Sequence, residues 1–94
     1  MKYKLDEYNV AISDTGVLFN MITGESFEMN KIGMLIIEKI RKNYSREQIK
    51  QSLLSEFEID KETLERNLEE FLHSLIRHQL VELLPEDWIN RLFY

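Results

Sequence analysis

The sequence predicts an α+β domain in which a three-stranded antiparallel sheet is followed by three helices and a short C-terminal appendage. Three observations carry this. Apolar residues alternate with period two between residues 9 and 29, broken at Gly16 and Gly24; three helical stripes follow between residues 30 and 75; and the only proline, Pro85, ends the pattern. A small sheet feeding three helices is compatible with a winged helix-turn-helix.

The first strand is expected at Asn9 to Ser13, where Val10 and Ile12 share a face. Asp14-Thr15-Gly16 reads as a turn, with Gly16 free to take positive φ. The next run puts Val17, Phe19 and Met21 on one face and Leu18, Asn20 and Ile22 on the other, so both faces are largely apolar and the strand is expected to be central. Thr23-Gly24 predicts a two-residue hairpin connection to a third strand, Glu25 to Met29. There Phe27 and Met29 point inward and Ser26 and Glu28 outward, and a polar outer face suits an edge.

Asn30 can cap the first helix, whose apolar positions are Ile32, Leu35, Ile36 and Ile40. Ser45-Arg46-Glu47-Gln48 has capping-box spacing and opens the second helix, with Ile49, Leu53 and Phe57 as its stripe and Leu54 at the margin. Asp60 caps the third. Its apolar face, Leu64, Leu68, Phe71, Leu72 and Leu75, is wider than a contact with one neighbour needs, which predicts that part of it faces a groove. A short apolar stretch, Leu80 to Leu84, follows. Beyond Pro85, Trp88, Ile89, Leu92 and Phe93 make a stripe on an expected last helix, so residues 1–84 read as the domain and 85–94 as a C-terminal extension.

Composition narrows the function classes. At 94 residues the chain is one domain, and the absence of Cys excludes a disulfide framework, a thiolate metal site and a Cys nucleophile. The N-terminus carries no apolar signal region, and the most apolar segment, Gly33 to Ile37, is too short to span a bilayer, so a cytoplasmic protein without a membrane partner is expected. With 17 acidic against 12 basic residues the net charge is −5. A DNA reader draws affinity from Lys and Arg at phosphates, and the segment expected to be a recognition helix carries Glu62, Glu65, Glu69 and Glu70 against Lys61 and Arg66, so no nucleic-acid partner is expected.

No chemistry of its own is legible. His73 and His78 are separated by about 140° on a helix, whereas a two-His metal pair needs i, i+4 spacing. Glu70-Phe-Leu-His73 matches one Glu-x-x-His fragment of a di-metal bundle, but such sites need two. His73 is therefore expected in solvent or in a salt bridge. No glycine lies in a phosphate-cradling motif, no Ser in a nucleophile elbow, and the pairs Glu69/Glu70 and Glu86/Asp87 read as solvated helix positions. The expectation is a non-enzyme with no cofactor. What remains is binding: an exposed strand edge offers unpaired N–H and C=O groups to an extended peptide, and an adjacent helix offers side-chain pockets. A blunted edge beside an ordinary core helix fits the same pattern.

The run Val17-Leu-Phe-Asn-Met-Ile-Thr-Gly-Glu-Ser-Phe-Glu-Met-Asn-Lys-Ile-Gly33, continued by Ile36 to Ile40, Tyr44-Ser-Arg-Glu-Gln-Ile49, Leu64-Glu-Arg-Asn-Leu68, Phe71, Leu72, Leu75 and Leu80-Val81, resembles the PqqD-like family over roughly residues 8–84. The resemblance implies a precursor-peptide recognition element of ribosomally synthesised, modified peptides (a RiPP recognition element), a non-catalytic winged-helix domain. Such a domain binds the leader of a precursor peptide as an added strand and presents it to a maturation enzyme, such as a radical-SAM protein, a leader peptidase or a macrocyclase. It implies main-chain contacts at Glu25, Ser26, Phe27, Glu28 and Met29, and groove contacts at Arg66, Asn67, Glu70, Phe71 and Ser74. Two departures stand out: His78-Gln79 precede Leu80 where the family often has Gly, and residues 85–94 extend past the family core. A winged-helix DNA-binding regulator, or a docking domain without a peptide substrate, are the alternatives.

Overall fold

Alternation in the sequence becomes two small sheets in the computed structural model, which describes residues 2–84. The expected C-terminal helix with Trp88, Ile89, Leu92 and Phe93 lies outside those residues. Strands β2 (Val10–Ile12), β3 (Val17–Asn20) and β4 (Ser26–Glu28) form an antiparallel sheet in the order β2-β3-β4. β3 is central and β4 an edge, as the patterning predicts. Gly16 is required where the first turn passes the end of β4: its φ is +91°, and a Cβ there would lie 2.9 Å from the Met29 carbonyl oxygen.

The β3–β4 connection is longer than the expected two-residue turn. The strand stops at Asn20, and Met21 to Gly24 form a loop closed by Asn20 N–H to the Glu25 carbonyl (2.8 Å) and Gly24 N–H to the Asn20 carbonyl (2.8 Å). Asn20 is the cause. Its Oδ1 accepts from the N–H groups of Ile22 (2.9 Å) and Thr23 (3.2 Å), a side-chain turn that ends pairing early. Met21 and Ile22 are consequently exposed in the loop rather than extending the strand.

A second sheet was not expected from the sequence. β1 (Lys2–Leu5) pairs antiparallel with β5 (Val81–Leu84), the apolar stretch after the last helix. Tyr3 and Leu5 are buried while Lys2 and Lys4 are exposed, an alternation that the sequence does display.

Three helices lie between β4 and β5: α1 (Lys31–Arg41), α2 (Arg46–Glu56) and α3 (Lys61–Arg77). All three predicted caps form. Asn30 accepts from Gly33 N–H (2.8 Å), Asp60 from Thr63 N–H (3.1 Å), and Ser45 and Gln48 exchange both bonds of a capping box. The buried face of α1 is Gly33, Ile36, Ile37 and Ile40, rotated from the expected stripe, because β1 and α2 pack on it and leave Ile32 and Leu35 half-buried. Leu64, Leu68, Leu72 and Leu75 of α3 join Ile49 and Leu53 of α2 and Leu18 of β3 in one core.

Helix α3 ends without the glycine that its geometry favours. Leu80 N–H reaches back to the Leu75 carbonyl (2.9 Å) and Gln79 N–H to the Ile76 carbonyl (3.0 Å), with Gln79 at φ +59°. This is a Schellman motif carrying a non-glycine in the left-handed position. Asn43 does the same after α1 at φ +65°.

Candidate functional site: an open strand edge over a groove

The ladder fixes which way the backbone of β4 faces. Asn20 bonds Glu25, and Met29 N–H bonds the Gly16 carbonyl (2.8 Å), so the residues that exchange bonds with β3 are Glu25, Phe27 and Met29. Ser26 and Glu28 alternate with them, and their N–H and C=O groups point away from β3. These are the groups an added strand would use.

Beside this edge, a groove of about 550 Å³ is lined by Glu28, Met29, Asn30, Ile32, Gly33, Ile36, Leu64, Asn67, Leu68, Glu70 and Phe71. Successive helical residues diverge by about 100°. Leu72 takes the core position, 1 % exposed, and Phe71 is half-buried on the groove wall. The Phe71 ring rests on Gly33, where a Cβ would sit 3.4 Å from Phe71 Cζ and 3.3 Å from Met29 Cβ. Glycine in the first turn of α1 thus keeps the groove open.

The far end of the β4–α3 seam is closed. The Phe27 and His78 rings lie 4.7 Å apart, His78 Nδ1 is 3.9 Å from a Glu25 carboxylate oxygen, and buried Asn20 donates from Nδ2 to the His78 carbonyl (3.2 Å). Asn20 therefore ties both the hairpin loop and the end of α3.

Of the residues singled out in the sequence, Glu28, Met29, Asn67, Glu70 and Phe71 border this groove. Glu25, Ser26 and Phe27 continue the edge toward the closed end. Ser74 is half-buried on α3 outside the groove lining, and Arg66 borders the opposite flank of the helix, facing α2. The groove floor, Ile32, Ile36 and Leu64, and the tie at Asn20 and His78 were not anticipated. A polar residue inside an otherwise apolar alternation was the available signal for Asn20.

The opposite flank of α3 is polar. A cleft of about 750 Å³ there is lined by residues including Arg46, Lys50, Glu65, Arg66 and Glu69. Lys50 Nζ meets Glu65 (3.0 Å) and Glu47 (3.2 Å), and Arg46 meets Glu69 (3.6 Å). The hydrogen bonds to Glu65 and Glu47 raise the Lys50 pKa, and the same Lys50 contact lowers that of Glu65. Tyr3 is raised by burial, an effect opposed by Arg46. His73 is exposed, 4.0 Å from Glu69 on its own helix, as its spacing predicted.

Fold and edge together define a winged helix-turn-helix-like α+β domain with a strand open along one edge next to an apolar groove. The family model described as coenzyme PQQ synthesis protein D (PqqD) matches residues 15–81, and the chain belongs to that family. Two solved structures are similar over nearly their whole length. TbiB1 in complex with the TbiA(beta) leader peptide is 27 % identical with a TM-score of 0.75, covering 88 % of this chain and 99 % of that one. A lasso peptide synthetase B1 complexed with the leader peptide is 28 % identical with a TM-score of 0.74, covering 90 % and 100 %. No curated protein sequence matches the chain.

Proposed function

We propose that this chain is a RiPP recognition element: it binds the leader of a ribosomally synthesised precursor peptide as a strand added to β4 and presents it to a maturation enzyme, without catalysing a reaction itself. The outward N–H and C=O groups of Ser26 and Glu28, beside a groove that Gly33 keeps open, carry this reading. The two leader-peptide complexes that the fold resembles support it. Main-chain pairing supplies affinity, and Phe71, Asn67 and Glu70 supply selectivity. The enzyme partner belongs to the class that acts on leader-bearing precursors, such as a radical-SAM protein, a leader peptidase or a macrocyclase. Precursors of this kind are made on ribosomes, which places the event in the cytoplasm. Residues 1–84 form the recognition domain, and 85–94 are an extension to it.

The test is amide NMR during titration with the leader of a precursor encoded next to this gene. Shifts should cluster on Ser26 to Glu28 and along the groove side of α3. Ser26→Pro removes one outward N–H without touching the β3 ladder, so binding should weaken while melting is nearly unchanged. Shifts centred on β2 or on the α2–α3 cleft would place the site elsewhere.

A further inference from the structure

The groove beside β4 has apolar walls and a one-signed rim. Among its lining residues Glu28, on the strand, and Glu70, on α3, are the charged ones; no Lys or Arg lines it. Neither carboxylate makes an ion pair among the described residues. The contrast is with the flank that faces α2. On the other flank of α3 and around α2 several acidic side chains face a base of the chain itself: Glu65 and Glu47 at Lys50, Glu69 at Arg46, and Glu56 at Lys39. Two carboxylates that flank an apolar groove and lack such a base leave a negative field where an incoming chain must pass, and complementary charge there steers and selects the ligand.

Resting on the strand-addition reading, we infer that the peptide taken by this groove carries a Lys or Arg within two residues of the apolar side chain that enters beside Phe71. Strand geometry supports that spacing. In an added strand the residue opposite Glu28 shares its outward face, and its chain neighbours turn into the groove toward Phe71. A side chain two positions from the apolar one returns to the groove face, within reach of the α3 rim at Glu70. An acidic residue at these positions would be repelled, so the rim selects against such leaders as well as for basic ones.

The experiment is selection of an mRNA-displayed library of random twelve-residue peptides on the full chain and on its Glu28→Gln/Glu70→Gln variant. Both residues are exposed, so the variant should melt like the parent, which a thermal scan checks. Peptides recovered on the parent should combine an apolar residue with a nearby Lys or Arg, and that enrichment should vanish on the variant while the apolar preference stays. A recovered peptide should bind the parent about three- to fivefold more tightly than the variant at low salt, and the difference should shrink at high salt. Peptides that shift the Ser26 and Glu28 amides but show no basic enrichment overturn this inference and leave strand addition standing. Peptides that leave those amides unmoved overturn strand addition itself, and this inference with it.

Discussion

The two flanks of α3 are built from the same helix and the same kinds of residue, yet one is closed on itself and the other is open. Facing α2, Glu65 and Glu69 meet Lys50 and Arg46, and the chain satisfies its own charges. Facing β4, Asn67, Glu70 and Phe71 look across a groove at a strand whose Ser26 and Glu28 backbone groups point away from β3. Periodicity shows that a helix has two flanks. Which flank is left open depends on what the remaining elements cover.

The sharpest way to test the contrast is to truncate neighbouring residues that point to different sides. Leu68→Ala and Leu72→Ala leave cavities in the core and should each cost about 2–5 kcal/mol of stability. Phe71→Ala, on the groove wall, should cost less stability but about 1–3 kcal/mol of peptide affinity if it is an anchor. Melting and peptide titration of the three variants separate the roles, and a Phe71→Ala domain that melts as low as the others would make Phe71 a core residue.

Asn20→Ala attacks the closed end of the seam. It removes the bonds to Ile22, Thr23 and the His78 carbonyl, for an expected loss of about 1–3 kcal/mol by chemical denaturation. Amide exchange should rise in the 21–25 loop and the last turn of α3 together. Exchange rising in only one of them would show that Asn20 does not couple the two.

Gln79→Gly should move stability the other way, by up to about 1 kcal/mol, since it relieves a left-handed residue with a side chain. An unchanged or lower melting temperature would show that the Gln79 side chain compensates.

The smallest effect belongs to the paired flank. Lys50 lowers the Glu65 pKa, and Lys39 and Ser52 lower that of Glu56, so both bind protons less readily in the folded chain than in the unfolded one. Their contribution is complete above the unfolded carboxylate range, near pH 4 to 5, and is lost as pH falls through the lower folded values. The exposed setting keeps it modest. A Lys50→Met variant should flatten the acid side of the melting profile slightly; an identical profile would mean that the pairing of Glu65 with Lys50 contributes nothing measurable.

Much of the fold was legible because caps and alternation are local. Asn30, Ser45 and Asp60 each announce a helix through a side chain that reaches only three residues ahead. The site was legible in part for the same reason: Phe71 beside Leu72 on one helix must diverge, and an outer Ser26 and Glu28 suit an edge. What stayed hidden is non-local. The pairing of β1 with β5 joins residues nearly the whole domain apart, the side of α3 taken by Arg66 depends on where α2 packs, and the Asn20 tie depends on the end of α3 coming back to the hairpin.

The closed seam at Phe27 and His78 also bears on measurement of length. A side chain of a strand laid along β4 finds open groove beside Glu28 and a stop where those two rings meet, while the backbone edge continues through Ser26. Because one face of it would be buried, slipping by a single residue would turn its apolar side chain out of the groove. A stop and a forbidden half-step together act as a ruler with a zero mark, so every peptide held this way would extend the same number of residues beyond the domain before reaching whatever acts on it.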